Sequence, residues 1–126
     1  MAILGIGVDR IKIARIEQSV ARFDAQFIKR VYSDDEYKLA KQRGTYRRLA
    51  MFFAAKEAVA KAMGTGFIGF AMKDVEVVYL ASGKPEVRLH RAAKRKADAL
   101  NISSIHLSLT DDDGTAMAFA IAEGSA

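Results

Sequence analysis

The segment 46–63 is the most apolar helical stretch of the chain, and it constrains the fold more than any other feature. From Leu49 onward apolar side chains surround the whole helix instead of forming one stripe, so other elements have to enclose it. Gly64 follows directly and suits the left-handed conformation that ends many helices. A chain of 126 residues has room for one core. We therefore predict a single domain, residues 1–126, built around this central helix.

Two patterns near the start of the chain predict a strand and an amphipathic helix. The run 2–8 is apolar without interruption, which predicts a strand buried on both faces. Beyond it, apolar residues recur at steps of three and four, which predicts a helix with one buried face. That face consists of Ile13, Ile16, Val20 and Phe23.

The rest of the chain predicts further helices and then strands. A short helix is expected around 27–31. Ser33 and Glu36 have the spacing of a capping box, so another helix should begin there and stop at Gly44. The later expected elements are strands near 75–79 and 85–89, a basic surface helix at 91–100, and a hairpin of 105–109 with 115–122. We predict the α+β class, a mainly antiparallel sheet with helices packed on one face.

Composition excludes several classes of protein. The chain has no cysteine, which rules out disulfides, thiolate-bound metals and a cysteine nucleophile. No apolar run approaches the roughly 20 residues that cross a bilayer, and no signal peptide is recognisable. We expect a cytoplasmic protein with no membrane partner. Residues 10–48 hold eleven Lys and Arg against five Asp and Glu. A basic surface of this kind attracts nucleic acid, anionic lipid, a phosphate-rich cofactor or an acidic protein.

Two acidic residues occupy positions where a folded chain rarely places a carboxylate. Asp9 ends the apolar run of the first strand, and Glu57 lies within the apolar central helix. A buried carboxylate is costly unless it is paired or binds a metal. Lys61 follows Glu57 by four residues and therefore shares its helix face. Together these residues predict a divalent-cation site that handles phosphate.

Simpler explanations exist for each of these residues. Glu57 and Lys61 have the spacing of a surface salt bridge, which contributes only a few tenths of a kcal/mol. We favour a functional site because the apolar neighbours leave little polar surface for such a pair. Asp9 taken alone is better explained as the N-cap of a helix that starts near Ile11. Functional sites often form at the ends of strands, which makes a metal-binding role for Asp9 more plausible, although the N-cap explanation still stands ahead of it.

Other polar residues carry weaker signals. Gly64 and Gly66 suit a helix stop, although glycines also let backbone N–H groups approach phosphate oxygens. Lys84 lies at a hairpin turn, where lysine is ordinarily solvated. His106 shares a strand face with Ser108, and a lone strand histidine is usually structural.

Four motifs nevertheless occur in a fixed order along the chain. They are GIGVD at 5–9 followed by IARIE at 13–17, FAAKEA at 53–58 with Lys61 and GTG at 64–66, GKP at 83–85, and HLS at 106–108. In order, spacing and total length they resemble the holo-acyl-carrier-protein synthase family, the small phosphopantetheinyl transferases. The resemblance extends nearly from end to end.

The resemblance implies a Mg²⁺-dependent enzyme. It would transfer 4′-phosphopantetheine from coenzyme A to a serine of apo acyl carrier protein and release adenosine 3′,5′-bisphosphate, in support of fatty acid biosynthesis. Asp9 and Glu57 would hold Mg²⁺ against the pyrophosphate of coenzyme A, a ligand set that suits this ion. Lys61 would add positive charge there. Asp9, directly or through a metal-bound water, is the implied base for the serine proton.

The resemblance also implies a phosphopantetheinyl-transferase-like fold that assembles as a homotrimer, with coenzyme A between neighbouring subunits. Some cofactor contacts would then serve the Asp9 of a different protomer. The exposed Arg15 and Arg22 would bind the acidic acyl carrier protein. The expected cofactor-binding residues are Arg48, Lys61, Gly64, Gly66, Lys84, Pro85, His106 and Ser108.

One departure from the family pattern affects these expectations. The family usually has arginine where this chain has Phe52, and Arg48, one helical turn earlier, is our hypothesis for its substitute. A non-catalytic member of the same fold is therefore one alternative. A small basic nucleic-acid-binding module is another, although the chain lacks the basic-aromatic strand motifs and helix-turn-helix signals of such proteins. We expect no nucleic-acid partner.

Overall fold

The computed structural model describes all 126 residues. Its elements in chain order are β1 Ala2–Lys12, α1 Ile13–Phe23, α2 Ala25–Val31, α3 Asp34–Gln42, α4 Thr45–Ala62, a 3-10 turn Met72–Asp74, β2 Val75–Tyr79, β3 Pro85–Leu89, α5 Arg91–Ala99, β4 Ile102–Asp112 and β5 Thr115–Gly124. Every predicted helix and strand is present, and the α+β class is confirmed. None of the helices combines the length and the apolar character needed to span a membrane.

The strands form two separate antiparallel sheets. One has three strands in the order β1-β5-β4, and the other is the hairpin β2–β3. Helix α4 lies across one face of the three-stranded sheet and is the central element of the core, as predicted. Its sides are buried along most of its length. Gly64 ends it in the left-handed conformation, with φ of 82°.

The contact between β1 and α4 is unusually close. A Cβ atom added to Gly5 would lie 1.9 Å from the main-chain oxygen of Ala62, and one added to Gly7 would lie 2.0 Å from that of Ala58. No side chain fits at either position, because both distances are far below van der Waals contact. The two glycines therefore let the strand lie directly on the backbone of the helix.

Within one chain, the prediction that β1 is buried on both faces is wrong. Only the face toward α4 is covered, since no element packs on the other side of the sheet. Ile3, Ile6 and Val8 are 62%, 63% and 51% exposed, and Met117 and Phe119 of β5 are exposed beside them. We call Ile6, Val8, Met117 and Phe119 the outer apolar face.

Helix α1 forms where the sequence predicts it, but its buried face is shorter than expected. Ile16 is buried, whereas Phe23 is 50% exposed. The guanidinium of Arg22 lies 5.2 Å from the centre of the Phe23 ring. The reason is the end of the helix: Asp24 adopts a positive φ of 46° and turns the chain into α2, which leaves the last turn of α1 uncovered.

The capping box at the start of α3 is confirmed. The Glu36 N–H donates to the Ser33 hydroxyl oxygen at 3.1 Å, and the Ser33 N–H donates to Glu36 Oε1 at 2.9 Å. The Glu36 side chain is also completely buried, which the capping pattern does not require. It has a second role, described below.

Candidate active site

Strand β1 and helix α4 bring Asp9 and Lys61 together. The Lys61 ammonium donates to Asp9 Oδ1 at 3.0 Å and to the carbonyl oxygen of Val8 at 3.0 Å. Asp9 is on the strand face that contacts α4, two residues after Gly7. It is not an N-cap, because β1 continues to Lys12 and that residue holds the N-cap position of α1. The simpler explanation of Asp9 is therefore wrong.

Glu57 lies one helical turn before Lys61 and is partly buried. Burial raises its pKa, and the negative charge of Asp9 raises it further, while the charge of Lys61 lowers it. The two carboxylates are thus close enough to repel each other. Lys61 pairs with Asp9 and not with Glu57, so the simpler explanation, a surface salt bridge between Glu57 and Lys61, is wrong.

The donor set at this position fits a hard divalent cation. Two neighbouring carboxylates offer oxygen ligands, and a cation between them would relieve their repulsion. No group of three or more His, Cys, Asp or Glu residues is arranged so that it could hold a metal ion. A site with only two protein carboxylates suits Mg²⁺, which keeps several waters and is completed by substrate phosphates. It does not suit the closed nitrogen and sulfur cages of structural zinc.

Gly64 and Gly66 follow the end of α4, just beyond Lys61. The Gly64 N–H donates to the Lys61 carbonyl at 2.9 Å, and the Gly66 N–H donates to the Ala60 carbonyl at 3.3 Å. Helix termination is therefore their evident role. Both glycines have positive φ, and no atom lies within 4 Å of where a Cβ would stand, so their outer side is open to an incoming group.

His106 and Ser108 lie on the opposite face of the same sheet. In the strand register His106 stands beside Ile121, which is paired with Ile6, and Ser108 stands beside Phe119, which is paired with Val8. These residues therefore flank the outer apolar face. The His106 ring nitrogen is 3.1 Å from a carboxylate oxygen of Glu123. Within one chain, the sheet separates both residues from Asp9.

Lys84 and Pro85 are at the turn and first position of the hairpin β2–β3. Lys84 is exposed. The hairpin turn borders a cavity of about 500 Å³ that is also lined by Arg43 and Arg48. The structure thus brings the hairpin turn and Arg48 together, but on a different part of the surface from the carboxylates. Glu57 lies nine residues after Arg48, about 13.5 Å along the helix axis.

Arg48 has an incompletely satisfied guanidinium. Its Nη1 donates to the Tyr79 hydroxyl at 2.6 Å and the group lies 5.2 Å from the Tyr79 ring centre. Its buried Nε atom has no hydrogen-bond partner. Phe52 is fully buried, with its ring centre 6.2 Å from that of Tyr79, so it offers nothing to a phosphate.

Arg15 and Arg22 are exposed on α1. They are seven residues apart and therefore lie on the same side of the helix. Arg15 also lines a cavity of about 390 Å³ together with Arg10 and Lys12. The surface formed by these four residues, which we call the basic surface, begins one residue beyond Asp9.

Lys56 is a buried charged residue to which the sequence motifs assign no role. Its side chain is completely buried and pairs with the equally buried Glu36 at 2.9 Å. Burial lowers the pKa of Lys56, and the carboxylate of Glu36 opposes that shift. The signal was present in the sequence, since Lys56 interrupts the same apolar segment that drew attention to Glu57.

Comparison with known proteins agrees with this arrangement. The sequence profile of the 4′-phosphopantetheinyl transferase superfamily matches residues 5–120. A holo-(acyl-carrier-protein) synthase of Serratia proteamaculans is 44% identical over 126 residues, covering 98% of this chain and 100% of the relative.

Solved structures of such synthases have the same fold. The enzyme of Neisseria meningitidis superposes with a TM-score of 0.90 at 35% identity, covering 97% of this chain and 99% of the other. The Helicobacter pylori enzyme, solved in complex with coenzyme A, superposes with a TM-score of 0.83 at 36% identity, covering 94% and 99%. The match over nearly the whole length, with the two carboxylates and the lysine gathered at the β1–α4 contact, shows that this chain belongs to the 4′-phosphopantetheinyl transferase superfamily.

Proposed function

We propose that this protein is a Mg²⁺-dependent holo-acyl-carrier-protein synthase that transfers 4′-phosphopantetheine from coenzyme A to a serine of apo acyl carrier protein. The observation that carries the proposal is the meeting of Asp9, Glu57 and Lys61 where β1 lies on α4. The names of the relatives and the coenzyme A complex of the Helicobacter pylori protein support it. The lack of cysteine fits a reducing compartment, and we assign the reaction to the cytoplasm, in fatty acid biosynthesis.

In the proposed reaction the serine oxygen bonds to the phosphorus that carries pantetheine. The bond from that phosphorus to the bridging oxygen breaks, and adenosine 3′,5′-bisphosphate leaves. Mg²⁺ held by Asp9 and Glu57 would neutralise the charge that develops on the pyrophosphate. The Lys61 ammonium, held in place by Asp9 and the Val8 carbonyl, presents a second positive charge to the same phosphates.

Asp9 is the proposed base for the serine proton. Its Oδ1 accepts the hydrogen bond from Lys61, whereas no protein donor engages Oδ2. With Mg²⁺ on Oδ2, Asp9 would take the proton through a metal-bound water, whereas direct transfer would require the metal to share Oδ1 with Lys61 and leave Oδ2 free.

We further propose that coenzyme A binds between subunits of a homotrimer. Lys84, Pro85, His106 and Ser108 are the proposed donor contacts, and the sheet separates the last two from the Asp9 of the same chain. A neighbouring subunit can supply them instead. The outer apolar face supports this assembly, because one chain leaves its four adjacent apolar side chains exposed and a contiguous exposed apolar patch marks an interaction site.

Placing a charge on the outer apolar face should separate the subunits. We expect Phe119→Lys to sediment as a monomer and to lose transferase activity, since an ammonium would be buried at each subunit contact. Sedimentation velocity and the transfer rate measure the two effects. Leu100→Lys is the control, because Leu100 is an exposed apolar residue away from this face. A fully active monomer of the Phe119 variant would contradict the shared site.

Reversing charge on the basic surface should weaken recognition of the carrier protein. We expect Arg15→Glu to raise the KM for apo acyl carrier protein at least about tenfold, since rim charges mainly govern the association of charged partners. The KM for coenzyme A should change little. Arg95→Glu on α5 makes the same change in net charge elsewhere and serves as the control. Equal losses for both substrates would show that α1 is not the docking surface.

The central test is intact-mass spectrometry of apo acyl carrier protein incubated with this protein, coenzyme A and Mg²⁺. We expect the carrier to gain the mass of one phosphopantetheine group, and EDTA or the Glu57→Gln variant to prevent the gain. Binding of coenzyme A without any transfer would favour the non-catalytic alternative. Salt-dependent, chelator-insensitive binding to an oligonucleotide, without coenzyme A binding, would favour the nucleic-acid module.

A further inference from the structure

Neither outer edge of the two-stranded hairpin β2–β3 has a neighbouring strand, and the outer edge of β2 faces α3 and α4. The Leu80 N–H donates to the Lys84 carbonyl at 2.9 Å, and the His90 N–H donates to the Asp74 carbonyl at 2.8 Å. Hydrogen-bonded pairs alternate along an antiparallel ladder. The even-numbered residues of β2 therefore bond to β3, and the odd-numbered ones direct their N–H and C=O groups to the opposite edge.

Two buried side chains occupy that opposite edge. The Lys56 ammonium of α4 donates a short hydrogen bond to the Val75 carbonyl oxygen, and Glu36 Oε2 of α3 accepts from the Val77 N–H at 2.8 Å. One side chain thus supplies the donor, and the other supplies the acceptor, that the backbone of an adjacent strand would provide. Side chains therefore satisfy two of the outward main-chain groups of β2, the Val75 carbonyl and the Val77 N–H.

The pair itself is fully satisfied. Lys56 Nζ and Glu36 Oε1 are 2.9 Å apart, and both side chains are 0% exposed. The ammonium also donates to the Met72 carbonyl at 3.3 Å, and Glu36 Oε1 also accepts from the Ser33 N–H at 2.9 Å. A buried ion pair of this kind adds little net stability compared with apolar residues of the same size. Its directed bonds to the β2 backbone therefore suggest a role in positioning.

We propose that Lys56 and Glu36 are positioning residues that take the place of a missing strand along β2 and thereby hold the hairpin where Lys84 and Pro85 can bind coenzyme A. This inference rests on the proposed function, because the hairpin matters only if it contributes to donor binding. The other polar attachments of the hairpin are less buried. They include the Ser33 hydroxyl to Glu76 at 2.7 Å and the Glu76–His90 contact at 2.9 Å.

The decisive variant removes the pair without leaving a buried charge. Glu36→Leu combined with Lys56→Met should keep the fold, because apolar replacement of a buried ion pair is usually tolerated. We expect the Val77 amide to exchange its hydrogen faster, and the KM and Kd for coenzyme A to rise at least about tenfold through misplacement of the hairpin. The kcat should stay within about twofold, because the lost contacts bind the ground state and the transition state equally. Affinity for Mn²⁺, bound by Asp9 and Glu57, should not change.

Two comparisons sharpen the interpretation. Lys94→Met removes an exposed ion pair, in which Lys94 Nζ lies 2.7 Å from Asp98 Oδ1, and should change none of these quantities. Glu36→Gln combined with Lys56→Met also leaves no buried charge but keeps an oxygen acceptor for the Val77 N–H, so it should give Val77 exchange and coenzyme A affinity between those of the wild type and the Glu36→Leu/Lys56→Met variant.

Several results would overturn the proposal. These are unchanged Val77 exchange in the double variant, faster exchange with unaltered coenzyme A affinity, and a parallel loss of kcat and Mn²⁺ affinity. If the double variant does not fold, hydrogen exchange in the wild type tests the proposal instead. The Val77 amide should then be as protected as the amides in the middle of α4. Exchange as fast as in the hairpin turn would show that Glu36 and Lys56 do not hold β2 in place. If the wild type transfers no phosphopantetheine, the proposed function is refuted. The positioning role of Lys56 and Glu36 would still be tested by the coenzyme A affinity and by the exchange of the Val77 amide.

Discussion

Replacing Glu57 with glutamine should lower the rate of phosphopantetheine transfer by about a thousandfold or more, because loss of one preorganised charge-stabilising group has an effect of that order. The side chain keeps its size, so the fold should persist. Burial and the Asp9 charge raise the pKa of Glu57. A raised folded-state pKa means that stability falls as pH rises through it. The neutral variant should therefore be at least as stable as the wild type at pH 7.

Three measurements together test this role. The transfer rate should collapse in both Glu57→Gln and Asp9→Asn, Mn²⁺ affinity should fall in both, and thermal unfolding of the Glu57 variant should remain at or above that of the wild type. Asp98→Asn, on the surface of α5, is the matched loss of a carboxylate and should leave all three unchanged. Wild-type turnover in either active-site variant would refute the metal assignment.

Replacing Gly7 with alanine should have the second large effect. The added methyl group would stand 2.0 Å from the Ala58 main-chain oxygen, so β1 and α4 have to separate. Overpacking of a core typically costs 1–3 kcal/mol, and with backbone as the obstacle we expect about 3 kcal/mol or more in urea unfolding. Activity should fall as well, because the same contact holds Asp9 and Lys61 3.0 Å apart.

Two further variants separate this clash from a general effect of adding a methyl group. Gly114→Ala places the methyl group in open space at a φ of 75°, and only backbone strain of about 1 kcal/mol opposes it. Ala58→Gly should not rescue Gly7→Ala, since the obstructing atom belongs to the main chain. A Gly7→Ala protein with wild-type stability would show that β1 and α4 do not touch as described.

The sequence predicts the helices well, and it singles out the two carboxylates, because both features depend on local patterns. The apolar segment around Glu57 indicates both the central helix and an anomalous charge within it. The capping box at Ser33 forms because its hydrogen bonds join residues only three apart. Asp9 and Glu57 lie almost fifty residues apart, and the family resemblance, more than their spacing, indicated that they meet.

Features that depend on tertiary packing could not be predicted in the same way. An uninterrupted apolar run does not reveal whether a second layer covers β1, so the sequence predicts burial for Ile6 and Val8, which are exposed within one chain. Helical spacing places Lys61 beside Glu57, but a strand from elsewhere in the chain offers it Asp9 instead. The partner of Lys56 is twenty residues away in another helix, and no local rule connects them.

The glycine contact also bears on how freely the rest of the molecule can vary. Because the main chain of β1 rests on the main chain of α4, the distance between the strand carrying Asp9 and the helix carrying Glu57 is a backbone dimension. It does not depend on the size of any intervening side chain. A designer could therefore repack the remaining core extensively and still keep the two carboxylates at their present separation, provided that residues 5 and 7 stay glycine.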